Sequence, residues 1–224
     1  MVGLNISSLI LWGAKGHAKV LREFLEPEGF EIVAVFDNDP CAVPPFHGVP
    51  LYVGEPGLRT WLDTLPHRRI GFLVAIGGAR GRERIELHDR LVAAGLHAVV
   101  AVHPRAFVAR DVILGPGAQV LAGACVGTEV RLGRCCIINT GAAVDHETSL
   151  GHGVHIGPGA SVAGCVEIGD YAFVGIGAVI LPRVRVGQNA IVGAGSVVTR
   201  DIPENVVAFG SPARVVRANP RLRE

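Results

Sequence analysis

The second half of the sequence has a repeat of six residues that excludes most folds. The first place of each hexad is Val, Leu or Ile in seventeen successive hexads, with no insertion between them. These residues are Val102, Val108, Leu114, Val120, Val126, Leu132, Ile138, Val144, Leu150, Ile156, Val162, Ile168, Val174, Ile180, Val186, Val192 and Val198. Neither the 3.6-residue period of a helix nor the simple alternation of a strand gives this spacing. The period therefore predicts a repeat architecture in which each unit buries its apolar face against its neighbours.

The other places of the hexad indicate how each unit is built. The second place is often glycine and the fifth is nearly always small. The small residues of the fifth place are Ala118, Ala124, Ala142, Ala160, Ala172, Ala178, Ala190 and Ser196. We expect places one and five to point inward, and Gly, Asn and Asp at the corners to adopt the positive φ of a sharp turn. The sequence thus predicts a parallel β-helix of short strands joined by corners.

The first hundred residues follow a different pattern, in which strands alternate with helices. The predicted strands are residues 8–12, 31–36, 70–76 and 97–102, and the predicted helices are residues 18–25 and 82–94. Strand, glycine turn, helix and strand form a βαβ unit of Rossmann type. We predict a Rossmann-like domain over residues 1–101, a β-helix over residues 102–205, and a C-terminal cap over residues 206–224.

Composition narrows the range of functions. The formal net charge of the 224 residues is +1, which disfavours electrostatic binding to nucleic acid or to an anionic membrane. There is no apolar run of about 18 residues for membrane insertion and no signal-peptide pattern at the N-terminus. The five cysteines contain no CxxC pair, so neither a disulfide framework nor a zinc ribbon is indicated. We expect a soluble cytoplasmic protein.

A glycine turn after the first strand is a candidate anion site. Gly13 and Gly16 could let backbone N–H groups and a helix N-terminus face a phosphate, or could simply form a tight turn. Lys19 stands where a dinucleotide fingerprint has its third glycine, which favours a mononucleotide or nucleotide sugar over NAD. Asp37 ends the second strand, where an acid can accept hydrogen bonds from a ribose or cap the strand. Gly77 and its neighbour offer a second place for close approach of a ligand.

His146 and Glu147 are the candidate catalytic pair. They occupy places three and four of a hexad, which are corner positions that project outward. A histidine beside an acid suits a general base whose ring is oriented by a carboxylate, although both could also be solvated corner residues. His152 and His155 raise the question of a metal, but the three histidines fall on different corners and faces, so we predict no metal site within one chain.

The residues around this pair resemble a known family. The stretch from Ile138 to Glu147, with the glycine turn that continues into His17, is similar to the NeuD/PglD family of sugar acetyltransferases. The resemblance implies a left-handed β-helix with three hexads per triangular coil, about five to six coils, and a homotrimer with coenzyme A between adjacent helices. It also implies that His146 is the catalytic base and Glu147 its partner.

The same resemblance assigns the remaining site residues. The residues expected to line the substrate site are Gly13, Gly16, His17, Asp37, Gly77 and Asn139. The residues expected to contact acetyl-CoA are His155 and the backbone of Gly164, which would hold the thioester carbonyl, together with Gly175 and Pro212. Four arginines follow in the tail, and they could meet coenzyme A phosphates or merely solvate one end: Arg214, Arg217, Arg221 and Arg223.

The resulting expectation is an acetyl-CoA-dependent N-acetyltransferase. It would act on the amine of a UDP- or GDP-linked amino-deoxy sugar by direct transfer, for the synthesis of a surface polysaccharide or glycoprotein. One alternative is O-acetylation of a sialic-acid-like sugar. Alternatives of other classes are a metal-dependent hydratase of carbonic anhydrase type and a non-catalytic scaffold that binds a nucleotide sugar.

Overall fold

The computed structural model describes residues 6–64 and 69–220, and these divide into two units. The first unit contains residues 1–76 and 86–99, and the second contains residues 77–85 and 100–224. The helix that crosses residue 85 therefore begins in the second unit and continues in the first.

The first unit is a five-stranded parallel sheet with strand order β3-β2-β1-β4-β5. Its elements are β1 (Ser8–Trp12), α1 (Gly16–Leu25), β2 (Glu31–Asp37), β3 (Leu51–Val53), α2 (Gly54–Leu62), β4 (Gly71–Val74), α3 (Gly81–Ala93) and β5 (His97–Ala98). The order reverses beside β1, as in a Rossmann fold. Trp12, Phe36 and Tyr52 stack across neighbouring strands, and the core around them combines further aromatic residues, Phe72 and Trp61, with aliphatic ones.

Three sequence predictions for this unit are wrong in detail. Strand β3 and helix α2 were not predicted, because their segment contains Gly54, Pro56 and Gly57, which mask a helical pattern. The predicted strand 70–76 is shorter, at Gly71–Val74. The predicted single strand 97–102 is two strands, since the chain leaves the sheet after Ala98 and pairs with the β-helix from Ala101.

The second unit is a left-handed parallel β-helix, as predicted. Residues 101–198, all of them described, form seventeen two-residue strands that follow the hexads without a slip. These are β6 (Ala101–Val102), β7 (Phe107–Val108), β8 (Ile113–Leu114), β9 (Gln119–Val120), β10 (Cys125–Val126), β11 (Arg131–Leu132), β12 (Ile137–Ile138), β13 (Ala143–Val144), β14 (Ser149–Leu150), β15 (His155–Ile156), β16 (Ser161–Val162), β17 (Glu167–Ile168), β18 (Phe173–Val174), β19 (Val179–Ile180), β20 (Arg185–Val186), β21 (Ile191–Val192) and β22 (Val197–Val198).

Each strand pairs with the strand three hexads away, so one coil is eighteen residues long. Val126, Val144 and Val162, for example, stack in register on one face. The other two faces are built in the same way by the strands from β8 to β20 and from β6 to β21. Any residue of one coil therefore has a neighbour eighteen positions along the chain, and this rule decides which side chains meet at a corner.

Places one and five of the hexads fill the interior, as predicted. Ala160, Ala178 and Ile156 have no exposed surface, and the interior forms one continuous apolar core. The fifth place is small on only two of the three faces. On the third it is always β-branched, and the members of that column are Val112, Val130, Thr148, Val166, Val184 and Ile202.

The backbone at the corners corrects the predicted role of the glycines. Positive φ occurs at place four of the hexad and not at the glycines of place two. The place-two glycines are instead required by the close spacing of the coils, because a Cβ on Gly175 would lie 2.6 Å from the nitrogen of Ala194.

The C-terminal segment extends one face of the β-helix. Strand β23 (Val206–Gly210) pairs with β21 in parallel, and β24 (Ala213–Ala218) returns antiparallel to β23. The predicted cap is therefore a hairpin that adds two strands to the sheet. Within the described residues, no helix has both the length and the apolar character needed to cross a bilayer.

Candidate active site

His146 and Glu147 lie together on one corner of the β-helix, as their hexad places predict. Nδ1 of His146 is 2.9 Å from Oε2 of Glu147, and about half of each side chain is exposed. The hydrogen bond from His146 is the main cause that lowers the pKa of the Glu147 carboxyl group. An ionised Glu147 holds the ring proton on Nδ1, and this leaves the lone pair on Nε2. The pair is thus arranged as a base with its orienting acid.

Gly164 lies beside the imidazole on the next coil, eighteen residues after His146. A Cβ at Gly164 would lie 2.5 Å from both Nε2 and Cε1 of His146, so only glycine leaves room for the ring. The Gly164 N–H has no hydrogen-bond partner within the described part of the chain. A base nitrogen and an unused backbone donor therefore share one small region of the surface.

Place-four residues that are eighteen positions apart stack in a column along one corner of the β-helix. The corner column that contains Glu147 has an unusual backbone. Its place-four residues Glu129, Glu147, Cys165 and Arg183 have φ of 59°, 57°, 60° and 61°. The left-handed region costs a non-glycine residue about 1–2 kcal/mol. A second corner column has glycine at all five such positions, from Gly123 to Gly195, so the fold accepts glycine there. Non-glycine residues in strained backbone are enriched at functional sites, and one of these four, Glu147, contacts His146.

Cys165 is a neighbour of the pair that the sequence predictions missed. Its Sγ lies 3.7 Å from Oε2 of Glu147, and its side chain is partly exposed. Cys165 is distant from His146 along the chain, so a search for cysteines beside the histidine in sequence does not find it. The eighteen-residue coil repeat, which places residue 165 against residue 147, is the signal that does.

His155 belongs to a separate, buried cluster. Only 4% of its surface is exposed, and Nε2 lies 3.0 Å from Nδ2 of Asn139, whose Oδ1 accepts the N–H of Thr140. Nδ1 faces the backbone of Gly78, at 2.8 Å from its nitrogen and 3.3 Å from its oxygen. Both ring nitrogens thus contact other groups of the protein. To hold a thioester carbonyl, as predicted, His155 would have to lose one of these contacts.

Gly77 lies in this same cluster. A Cβ at Gly77 would lie 3.6 Å from Cε1 of His155. The segment 77–85 is fixed to the β-helix by Arg84, which is fully buried and donates to the carbonyl groups of Cys135, Gly78 and Gly153. Arg84 was also missed, and no local sequence signal identifies it.

The first unit brings together the glycine turn and Asp37. Oδ2 of Asp37 accepts the N–H of Ala14 at 2.7 Å, and Oδ1 accepts the N–H of Asp39 at 3.0 Å. Asp37 therefore caps the strand end and holds the turn, which is the structural alternative considered above. A carboxylate has further lone pairs, so these bonds leave it capable of accepting more.

Gly13 and Gly16 of this turn differ in whether the structure has room for a larger residue. Gly13 has φ of 118°, and a Cβ there would lie 2.5 Å from the oxygen of Ala75, so no other residue fits. Gly16 begins α1, and a Cβ there would meet nothing within 4 Å. His17 is half-buried in the first turn of the same helix, and no side chain caps the N-terminus of that helix.

The two remaining predicted coenzyme contacts lie away from the corner column. Gly175 is buried by the coil packing described above, and Pro212 is exposed in the turn between β23 and β24. Arg214 and Arg217 are exposed on β24, whereas Arg221 and Arg223 lie outside the described residues.

An apolar groove of about 290 Å³ runs along the face next to the His146 corner. Ala143, Ser161 and Val179 line its floor, and Asp145 and Ala163 form its edge. Those two edge residues directly precede His146 and Gly164, so the groove opens at the candidate base.

Comparison with known proteins gives matches over nearly the whole chain. The PglD N-terminal domain matches residues 8–86, and the bacterial transferase hexapeptide (six repeats) matches residues 165–200. No curated protein sequence matches. The solved structures that match include a histidine-to-alanine variant of GDP-perosamine N-acetyltransferase from Caulobacter crescentus, in complex with CoA and GDP-perosamine. It is 37% identical over 96% of this chain and 99% of that chain, with a TM-score of 0.86.

Two further structures are similar over nearly their full length. The acetyltransferase domain of PglB from Neisseria gonorrhoeae, in complex with acetyl coenzyme A, is 30% identical over 95% of this chain and 100% of that chain, with a TM-score of 0.83. WeeI from Acinetobacter baumannii is 24% identical over 93% of this chain and 99% of that chain, with a TM-score of 0.81. At its lower identity, WeeI supports the fold alone.

Proposed function

The chain belongs to the NeuD/PglD family of hexapeptide-repeat sugar acetyltransferases, and we propose that it transfers the acetyl group of acetyl-CoA to the amine of a nucleotide-linked amino sugar. The observation that carries this proposal is the His146–Glu147 pair with the unused Gly164 N–H beside it. The similar enzyme from Caulobacter crescentus binds CoA and GDP-perosamine. A GDP-linked amino sugar is therefore the first substrate to test, and a UDP-linked one the second.

The reaction needs only the groups at this corner. The amine lone pair attacks the thioester carbonyl, and Nε2 of His146 takes a proton from the attacking nitrogen. The carbonyl oxygen becomes an oxyanion, which the Gly164 N–H stabilises by donating a hydrogen bond. The C–S bond then breaks, and the coenzyme leaves as a thiol after the imidazolium returns the proton to sulfur. Glu147 stabilises the imidazolium between these steps, and no acyl-enzyme is formed.

The apolar groove beside the corner suits the pantetheine arm of the coenzyme. Most of the residues that line it are small or aliphatic, and Ala143 and Val179 are examples. An extended chain of methylene and amide groups can therefore lie along it. The adenine and phosphate groups would then be held by a second surface. A neighbouring copy of the chain supplies that surface in our proposal.

The proposed assembly is a trimer. Several large aliphatic and aromatic side chains are exposed on the β-helix unit, and they include Phe107, Ile113, Ile176, Val179 and Leu181. Exposed apolar patches on flat faces are typical of subunit interfaces, and closed cyclic symmetry is usual for homo-oligomers. Light scattering of the full chain tests this proposal, and a stable monomer with full activity would contradict it.

The first unit would bind the nucleotide. The glycine turn, with Asp37 holding it and α1 beginning at Gly16, offers backbone donors for a diphosphate. Calorimetry with GDP- and UDP-sugars and with NAD tests this assignment. We expect binding of a nucleotide sugar and none of NAD.

The decisive experiment is acetyl transfer from acetyl-CoA to a panel of GDP-, UDP- and dTDP-amino sugars. Matched sugars with a hydroxyl group in place of the amine, and a sialic-acid-like sugar, form the second half of the panel. Mass spectrometry of the products distinguishes N-acetylation from O-acetylation. Transfer only to hydroxyl groups would favour the O-acetyltransferase alternative, and a chain that binds the sugars without transfer to any of them would be a scaffold.

A further inference from the structure

Three side chains with metal-binding atoms meet at the His146 corner. Nδ1 of His146 and Sγ of Cys165 lie 2.9 Å and 3.7 Å from the same oxygen, Oε2 of Glu147. One ligand atom from each of the three residues lies within 4.8 Å of the other two. Among the described residues, this is the one group of three or more such side chains that converges in this way.

Two of the three distances between the ligand atoms are close to those of a tetrahedral zinc site. Zinc binds nitrogen, oxygen and sulfur at about 2.0–2.3 Å in a tetrahedron, which places its ligands about 3.3–3.8 Å apart. The Sγ–Oε2 distance already has this value, and the Nδ1–Oε2 distance needs to lengthen by a few tenths of an ångström. Imidazole, carboxylate and thiolate are the three ligand types that zinc accepts in proteins. All three side chains reach solvent, so an ion can enter and a water can fill the fourth position.

We propose that His146, Glu147 and Cys165 form an inhibitory zinc site. The ion is an inhibitor and not a cofactor, because the acetyl transfer proposed above uses no metal. The inference of inhibition rests on that proposed function, whereas the inference of binding rests only on the geometry of the three side chains.

Zinc at this position would change the tautomer of the base. In the active form, Nδ1 carries the ring proton and Nε2 carries the lone pair that accepts a proton from the amine. Zinc takes the lone pair of Nδ1, so the ring proton passes through solvent to Nε2, and the thiol proton of Cys165 is released to water. A neutral imidazole has only one lone pair. With that pair on zinc, Nε2 is an N–H and cannot accept a proton from the substrate.

Arg183 should oppose zinc. It follows Cys165 on the same corner column, and its positive charge contributes to the lowered pKa of Glu147. Removing this cation with Arg183→Gln should tighten zinc binding about three- to fivefold, the usual size of an interaction between exposed charges. The direction of this change distinguishes a site at Glu147 from zinc bound elsewhere.

Direct binding is measured with the full-length protein after treatment with EDTA. Cobalt(II) serves as the probe, because a cysteine thiolate bound to cobalt gives a charge-transfer absorption that zinc then removes by displacement. We expect this absorption in the unmodified protein and in the control Cys41→Ser, which removes an exposed cysteine outside the β-helix. We expect it to be absent in Cys165→Ser, with at least a tenfold loss of zinc affinity in calorimetry.

Activity is measured on the same three proteins. Zinc should inhibit acetyl transfer by the unmodified protein and Cys41→Ser, with reversal by EDTA. Cys165→Ser should keep its basal rate and lose at least tenfold in sensitivity to zinc. Absence of the cobalt–thiolate absorption, or equal zinc affinity with and without Cys165, would overturn the site. Thiolate-dependent zinc binding in a protein that transfers no acetyl group would instead leave the site standing and contradict the proposed function.

Discussion

The guanidinium group of Arg84 donates a hydrogen bond to the carbonyl oxygen of Gly153 in the interior of the protein. Its other nitrogens donate to the carbonyl groups of Cys135 at 3.2 Å and Gly78 at 3.3 Å. Burial lowers the pKa of Arg84 to about 10, so the group still carries its charge at neutral pH. Because Gly78 also contacts His155, Arg84 fixes the turn that covers the buried histidine.

Arg84→Met should lower stability by about 2–4 kcal/mol. The substitution removes a costly buried charge but leaves the buried carbonyl groups of Cys135 and Gly153, and the half-buried one of Gly78, without this donor, and an unpaired buried polar group costs about 1–3 kcal/mol. Thermal unfolding measures the loss. Arg90→Met is the matched control, because Arg90 lies on α3 as Arg84 does and forms an exposed ion pair with Glu55 of α2, and such pairs contribute little to stability. Equal unfolding temperatures for Arg84→Met and the unmodified protein would show that the buried bonds are not needed.

Two substitutions in the glycine turn distinguish its role in folding from its role in binding the nucleotide sugar. Gly13→Ala should destabilise the protein, because the Cβ would meet the Ala75 oxygen and φ is positive. Gly16→Ala should fold normally and gain about 0.5–1 kcal/mol from better helix propensity. If backbone donors of this turn hold the diphosphate, Gly16→Ala should raise the KM for the nucleotide sugar. Unchanged KM in a stable Gly16→Ala protein would leave the turn with a structural role only.

The sequence predicted those features of the structure that recur with each eighteen-residue coil. Val126, Val144 and Val162 occupy the same environment at intervals of eighteen residues, so their register was readable from spacing, as was the outward projection of His146. Cys165 follows Glu147 by the same interval and was predictable in principle. Arg84 was not, because its partners Gly153 and Cys135 are distant in sequence and are backbone carbonyl groups, which any residue could supply. The burial of His155 likewise depends on the segment at Gly77 and Gly78, which folds over it from another part of the chain.

The cysteines should differ sharply in reactivity. Burial raises the pKa of the Cys136 thiol to about 12, and its Sγ donates to the Gly151 oxygen at 3.0 Å. At pH 8, iodoacetamide should modify exposed Cys41 quickly and leave Cys136 unmodified until the protein unfolds, as mass spectrometry of peptides can measure. Rapid modification of Cys136 in the folded state would contradict its burial.

The same thiol makes stability depend on pH in the alkaline range. In the unfolded chain the Cys136 thiol ionises near the ordinary cysteine pKa of 9.0, whereas the folded state retains the proton up to about 12. The folded state therefore binds more protons than the unfolded state between these values, and stability falls as pH rises through this window. Cys136→Ala should make the fall shallower in denaturant unfolding at about pH 9–11, inside that window. An unchanged slope would assign the alkaline loss to other groups.

His146→Ala should lower kcat by about 100-fold, the lower end of the contribution of positioned proton transfer, since the site is half-exposed. The KM for acetyl-CoA should change little, because the ring does not hold the coenzyme in this mechanism. Imidazole added to the buffer should restore part of the rate by entering the space above Gly164. His152→Ala, at the same hexad place on the next corner, is the control and should keep the normal rate. A near-normal rate for His146→Ala in folded protein would remove His146 from the mechanism.

Gly164→Ala should lower kcat through the position of His146. The new Cβ would lie 2.5 Å from Nε2 and Cε1, so the ring must swing away from the place where it meets the amine. The backbone itself tolerates alanine, because φ of Gly164 is not positive, and the N–H that stabilises the oxyanion is retained. We expect a loss of about 100-fold, similar to that of His146→Ala. The double variant Gly164→Ala with His146→Ala should be within about twofold of the single His146→Ala protein, because substitutions that act through one group are not additive. A further large loss in the double variant would mean that Gly164 acts mainly on the oxyanion or the coenzyme, and independently of the base.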